Sequence, residues 1–158
     1  MYTTLSRIAP QRVKRESPAP RRGGNGNIVR YSIVTLGCKA NQYDGAALAA
    51  ALRRRGFDPV PPACGAEADL VVVNTCCVTA TAMSKSRQAI RRAVRAAPRA
   101  AVLVMGCYGD YDPRTVRRLL DEAAPGRLAV VCGHHGDLAE CLGDFARRLA
   151  GGARPAAS

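Results

Sequence analysis

Tryptophan is absent from this 158-residue chain and aromatic residues make up only 4% of it, so any core must be built from Val, Leu, Ile and Ala. No run of 18 apolar residues occurs, which excludes a membrane-spanning helix of ordinary length. The first residues carry no apolar stretch of the kind a secretory signal needs, so the expected location is cytoplasmic, with no membrane partner. The seven cysteines are odd in number and form no compact framework, which argues against a small disulfide scaffold. In a reducing compartment such thiols serve as ligands, catalysts or core residues.

Acidic residues are also scarce, 12 against 24 Lys and Arg, for a formal charge of +12. The deficit is local. Lys85, Arg87, Arg91, Arg92, Arg95 and Arg99 follow one another with no acid between them, and Arg53-Arg54-Arg55 form a second group. A basic stripe suits a polyanion such as nucleic acid, although an Arg-rich, Ala-rich helix in solvent has the same composition.

Residues 1–28 contain Pro10, Pro18, Pro20 and a Gly-Asn stretch, and read as a disordered basic extension. The tail after Ala150 reads as flexible. Between them, short β-branched runs alternate with helical patterns. Strands are expected at Val29–Leu36, Asp69–Asn74, Ala101–Met105 and Leu128–Cys132, with a short edge strand at Phe57–Val60. A first helix is expected from Tyr43 or Asp44, with Asp44 as its N-cap, to Arg55. The second covers Thr81–Ala97 and stops at Pro98. The third opens at Asp112-Pro113 and runs to Ala123. The last, Asp137–Ala150, sets Leu138, Cys141, Leu142, Phe145 and Leu149 on one face. Four to five parallel strands with helices on both faces give a doubly wound, flavodoxin-like α/β fold.

Three cysteines, Cys38, Cys76 and Cys107, each end an apolar strand. Ligands of open parallel sheets bind outside the carboxyl ends of the strands, so these thiols meet on one edge. Three soft donors around one point suit zinc or an iron–sulfur cluster, and spacing alone does not choose. Cys141 reads as a small core residue and Cys64 as an incidental loop thiol. Of the adjacent pair Cys76-Cys77, one residue is expected to face the site and the other away. Cys132 ends the last strand and reaches the same edge, where His134 and His135 are further donors or simply exposed loop residues.

The segments Thr35-Leu-Gly-Cys-Lys-Ala-Asn-Gln-Tyr-Asp44, Val73-Asn-Thr-Cys-Cys-Val-Thr79, Lys85-Ser-Arg-Gln88 and Gly106-Cys-Tyr108 resemble the N-terminal domain of radical-SAM methylthiotransferases. The nearest branch is the MtaB type, which acts on threonylcarbamoyladenosine in tRNA. The resemblance covers about residues 30–149. It implies that Cys38, Cys76 and Cys107 hold an auxiliary [4Fe–4S] cluster with one iron open to an outside ligand. It also implies tRNA as a partner, with Asn41, Gln42, Lys85 and Arg87 near the RNA or the cluster edge. S-adenosylmethionine and a second [4Fe–4S] cluster would belong to a radical-SAM domain or subunit.

The sequence departs from that pattern in several places. It has no Cys-x-x-x-Cys-x-x-Cys motif for the radical-SAM cluster and no segment for a C-terminal RNA-binding domain. Cys77 takes a slot usually held by Thr, Gly109-Asp110 replaces Ala-Gln, and Met83 takes an often acidic position. The expectation is a fragment or split subunit that contributes the cluster domain to methylthiolation. The alternatives are a stand-alone iron–sulfur or zinc module with a redox or regulatory role, and an α/β scaffold whose thiols are core residues.

Overall fold

The structure, a computed structural model, describes residues 29–133 and 138–150. The extension 1–28, His134, His135, the expected helix start at Asp137 and the tail 151–158 lie outside the described residues.

Five strands form one sheet: β1 (Arg30–Thr35), β2 (Asp58–Pro59), β3 (Leu70–Thr75), β4 (Ala101–Gly106) and β5 (Ala129–Cys132). All neighbours pair in parallel, in the order β2-β1-β3-β4-β5. The helices are α1 (Lys39–Arg54), α2 (Ala80–Ala96), the short α3 (Cys107–Tyr111), α4 (Pro113–Ala123) and α5 (Leu138–Ala150), with a 3-10 turn at Pro62–Glu67. The expected flavodoxin-like α/β architecture is therefore the one observed.

Alternation along the strands divides the core in two. Val71, Val73, Val102 and Val104 pack with Ile90, Ala93 and Val94 of α2 and Val116, Leu119 and Leu120 of α4. Leu70, Val72, Leu103 and Met105 point to the other face, against Leu48 and Leu52 of α1 and Leu142 and Phe145 of α5. Both faces are covered, so the central strands are apolar throughout rather than alternating in polarity. Cys141 packs half-buried against this second cluster, as expected for a small apolar side chain.

Helix ends differ from expectation in instructive ways. α1 begins at Lys39, with Cys38 rather than Asp44 at its N-cap position. Asp44 lies inside the helix, and Gly45 packs against Thr35 Oγ1, where a Cβ would come within 2.8 Å. The close fit of helix on strand therefore overrides the capping signal of Asp44. α2 is capped by Thr79, whose Oγ1 accepts from the Ala82 N–H at 3.0 Å. α4 opens as expected at Asp112-Pro113, the Asp112 carboxylate accepting from the Thr115 N–H at 3.0 Å. The Thr115 hydroxyl, and after it this N–H, hold the Asp112 carboxyl below the ordinary range. α3 was not expected: β4 runs straight into it at Gly106, whose φ is +97°.

Gly106 bears directly on the sheet edge. A Cβ there would overlap the Thr75 carbonyl oxygen and approach Asn74 Oδ1 to 2.6 Å. Gly126 also has positive φ, +70°, but nothing lies within 4 Å of its Cβ position. Gly126→Ala should therefore lose about 1–2 kcal/mol, from the backbone alone. Gly106→Ala should lose distinctly more, because strain of about 1–3 kcal/mol is joined by a clash with strand backbone. Urea unfolding followed by circular dichroism checks the order of the two.

Candidate functional site

In the order β2-β1-β3-β4-β5 the chain reverses its direction of winding between β1 and β3. A crevice opens at such a switch point, outside the carboxyl ends of the strands. Leu36–Cys38 leave β1 on one side of it and Cys76–Thr79 leave β3 on the other. Cys107 starts α3 at the end of β4, next along the same edge. The three cysteines singled out from the sequence thus occupy one edge.

The edge is tied together by polar side chains. Asn41 is buried, and its Nδ2 donates to the Leu36 and Thr75 carbonyls, both at 2.8 Å. Its own carbonyl accepts from Asn74 Nδ2 at 2.6 Å. Asn74 Oδ1 is buried over Gly106 and finds no hydrogen-bond partner among the described residues. Thr75 Oγ1 donates to the Met105 carbonyl at 2.7 Å, joining the ends of β3 and β4. From α2, Ser86 Oγ accepts from the Cys76 N–H at 3.0 Å and donates to the Cys76 carbonyl at 2.9 Å. Cys76 is held at both ends of its own residue.

The thiols sit in unlike surroundings. Cys38 is exposed, and the N–H groups of Asn41 and Ala40 at the start of α1 hold its thiol below its ordinary value. Cys76 is buried, and a Cβ on Gly37 would fall 2.8 Å from its sulfur. Gly37 has φ +99°, so the β1 turn passes directly over the Cys76 side chain. Cys107 is half-buried; burial pushes its thiol up, and the neighbouring Cys77 thiol adds to this. Its sulfur accepts from the Cys77 N–H at 3.1 Å and its S–H donates to the Thr75 carbonyl at 3.7 Å. Cys76 and Cys77 both come within reach of Cys107 rather than facing opposite ways, because strand alternation ends at Thr75.

The other candidate residues are placed as follows. Gln42 and Lys85 are exposed. Arg87 is half-buried and its Nη1 donates to the Tyr108 hydroxyl at 3.1 Å, beside Cys107. Cys132 is buried at the end of β5 and belongs to the core cluster on the α1 and α5 side. Cys64 is exposed in the 3-10 turn. Sequence reasoning missed Ser86, Tyr108 and Thr75 as supports of this edge. Ser86 and Tyr108 stood within the segments that carry the family resemblance, but an uncharged hydroxyl gave no sign of which backbone or side chain it would hold.

Thiolate donors suit a soft ion or cluster by their chemistry. As arranged, however, no group of three or more His, Cys, Asp or Glu side chains among the described residues is placed to hold a metal ion. Cys38 faces the start of its own helix, while Cys76, Cys77 and Cys107 contact one another. Among the described residues, no helix is long and apolar enough to cross a membrane.

Residues 30–125 match the model of a family described as Uncharacterized protein family UPF0004. The chain is 41% identical over 94 residues to the threonylcarbamoyladenosine tRNA methylthiotransferase MtaB of Bacillus subtilis, covering 56% of this chain and 19% of that protein. It is 32% identical over 120 residues to the protein of the same name from Aquifex aeolicus, covering 76% and 28%. It is also 34% identical over 99 residues to the ribosomal protein uS12 methylthiotransferase RimO of a Roseiflexus species, covering 62% and 20%. The chain thus spans less than a third of the length of these relatives. No solved structure matches it.

The unlike exposure of the thiols predicts an order of alkylation. With limiting iodoacetamide, Cys38 and Cys64 should be modified first, Cys77, Cys107 and Cys141 more slowly, and Cys76 and Cys132 last. In urea the differences should vanish. Peptide mass mapping at successive times reads the order directly.

Proposed function

Since the chain belongs to the Uncharacterized protein family UPF0004, with a domain homologous to the N-terminal domain of MtaB-type tRNA methylthiotransferases, we propose that it serves as a thiol-bearing iron–sulfur or zinc-binding module with a redox or regulatory role and not as an enzyme by its own residues. The module comprises residues 29–150, between the basic extension and the tail. The observation that carries this reading is the meeting of Cys76, Cys77 and Cys107 at the switch-point edge, with Cys38 on the facing turn. Its residues include thiols and their supports but no Cys-x-x-x-Cys-x-x-Cys set. As a module it takes an iron–sulfur group or zinc, and its role is redox or regulatory.

A second reading is favoured by the homology itself. In it Cys38, Cys76 and Cys107 hold an auxiliary [4Fe–4S] cluster that supports sulfur insertion at threonylcarbamoyladenosine, beside a radical-SAM domain or subunit that binds S-adenosylmethionine. In this reading Asn41 and Ser86 keep the β1 and β3 turns at fixed separation, and the Cys38 thiol must leave the helix start to join the other two.

Anaerobic reconstitution separates the readings. The protein is offered iron with sulfide, or zinc, and each metal is counted per chain. About four irons, lost singly in Cys38→Ala, Cys76→Ala and Cys107→Ala, is the result expected of the cluster domain. About one zinc, or an iron count indifferent to Cys38, is expected of the independent module. Binding of neither metal would overturn both readings and leave a scaffold whose thiols are structural.

The partner assigned to the basic face of α2 is tRNA, in either reading. Lys85, Arg91, Arg92 and Arg95 are exposed, and among the described residues none is seen in an ion pair; Arg87 is instead committed to Tyr108. Arg95 donates to the Arg91 carbonyl, so the two side chains lie along one ridge. Arg92 and Arg91 precede Arg95 by three and four residues, a spacing that puts their Cβ atoms about 5–6 Å from its own on one side of the helix. Arg91→Glu, Arg92→Glu and Arg95→Glu together should weaken binding of unmodified tRNA at least tenfold and lower the salt slope by about 2. Lys85→Ala with Arg87→Ala should have a smaller effect. Fluorescence anisotropy at several salt concentrations measures both quantities, and unchanged affinity in the triple variant would remove α2 as the contact.

A further inference from the structure

Cys77 is the thiol to which the three-cysteine cluster reading gives no part. It follows the last strand residue of β3 by two, in the turn that leads to the Thr79 cap of α2. Thr75 is the register partner of Gly106 across β3 and β4, so the residues that follow, Cys76-Cys77 and Cys107, emerge side by side. Continued by one residue, this register sets Cys107 opposite Cys76 and Cys77 one residue further along, so it is the direct contact of Cys77 with Cys107 that singles out that pair. The Cys77 N–H donates to the Cys107 sulfur at 3.1 Å, and the two thiols lie within hydrogen-bonding reach of each other. Both are half-exposed, so a small oxidant in water reaches them. Cys76 is the competing partner, but it is 2% exposed and roofed by the backbone of Gly37.

We propose that Cys77 and Cys107 form a reversible disulfide, a redox modification site at the strand edge with a low-molecular-weight disulfide such as oxidised glutathione as its oxidant. Attack by one thiolate on the glutathione disulfide makes a mixed disulfide and releases one glutathione. The second protein thiolate then attacks the protein sulfur and releases the other glutathione. Two S–H bonds are lost and one S–S bond is gained; the two electrons and two protons leave on two molecules of glutathione. The bond joins the turn after β3 to the start of α3, both already anchored, by Ser86 on one side and by the Thr75–Met105 bond on the other. It withdraws Cys107 from any metal site while leaving Cys38 and Cys76 as free thiols. Reduction restores it.

The test uses the full chain, reduced, chelator-treated and freed of reductant, so that its outcome does not depend on whether iron or zinc binds. After exposure to oxidised glutathione, free thiols are counted with a chromogenic disulfide, and peptides are mapped by mass. Expected are a loss of two thiols, a mass decrease of about 2 Da, a cross-linked peptide pair containing Cys77 and Cys107, and full reversal by dithiothreitol. Cys77→Ser, which keeps the N–H contact and the side-chain volume, should form no intrachain disulfide and instead carry glutathione on Cys107. Cys76→Ser should still form the cross-link. A wild-type cross-link that joins Cys76 to Cys107, one between two chains, or glutathione adducts without any intrachain bond would each overturn the proposal.

Discussion

A single carboxamide holds the two sides of the thiol edge at a fixed distance. Asn41 projects from the first turn of α1 and places its two N–H bonds on carbonyls from two different strands, Leu36 after β1 and Thr75 at the end of β3. Leu36 lies just past β1 and Thr75 at the last register pair of β3 and β4, where the sheet gives way to the turns. A hydrogen bond left unmade at a buried carbonyl costs about 1–3 kcal/mol, and Asn41 serves one that is buried, on Thr75, and one that is partly buried, on Leu36. Because the same residue accepts from Asn74 through its backbone carbonyl, the start of α1 is locked to β3 in both directions. The turn that carries Cys38 therefore has its height above the sheet set by β3, the strand that carries Cys76.

Much of this was legible in the sequence, for a physical reason. Strands such as Leu70–Thr75 and Ala101–Gly106 are covered on both faces, and full burial demands an uninterrupted β-branched and aliphatic run that nothing else in the chain imitates. The positions of three cysteines at strand ends followed from the same runs. The beginning of α1 was not legible, because Asp44 carries a capping signal while the real boundary is set by contact with Thr35 and by the buried Asn41. Arg127 was equally hidden. Read by charge it is one more solvated arginine, yet it is half-buried and its guanidinium donates to the Val94, Ala97 and Ala100 carbonyls, closing the C-terminal end of α2. Only the folded chain brings an arginine from before β5 to that helix end.

α2 serves two ends that its sequence does not separate. Its inward residues Ile90, Ala93 and Val94 fill the core under β3 and β4, while Ser86 and Arg87 in its second turn hold Cys76 and Tyr108. The arginines beyond that point have no such duty and remain in solvent. A run of six basic residues is thus divided by structure into one that is spent on the site and others that face outward. Charge alone gives both the same weight.

The glycines at this edge explain why its thiols crowd in contact instead of standing apart around an ion. Gly37 passes over the Cys76 sulfur at a distance no side chain would tolerate, and Gly106 does the same over the Thr75 carbonyl. Both have positive φ, a conformation that glycine adopts without strain. The first presses the β1 turn down on Cys76. The second starts α3 so early that Cys107 stands beside Cys76 and Cys77 rather than one turn beyond them. With β3 and β4 drawn together in this way, the spacing of Cys77 and Cys107 is a property of the backbone, while the distance from either to Cys38 depends on a side chain that faces its own helix. The pair on the β3–β4 side is placed by strand ends, whereas Cys38 is held by the N–H groups that open α1.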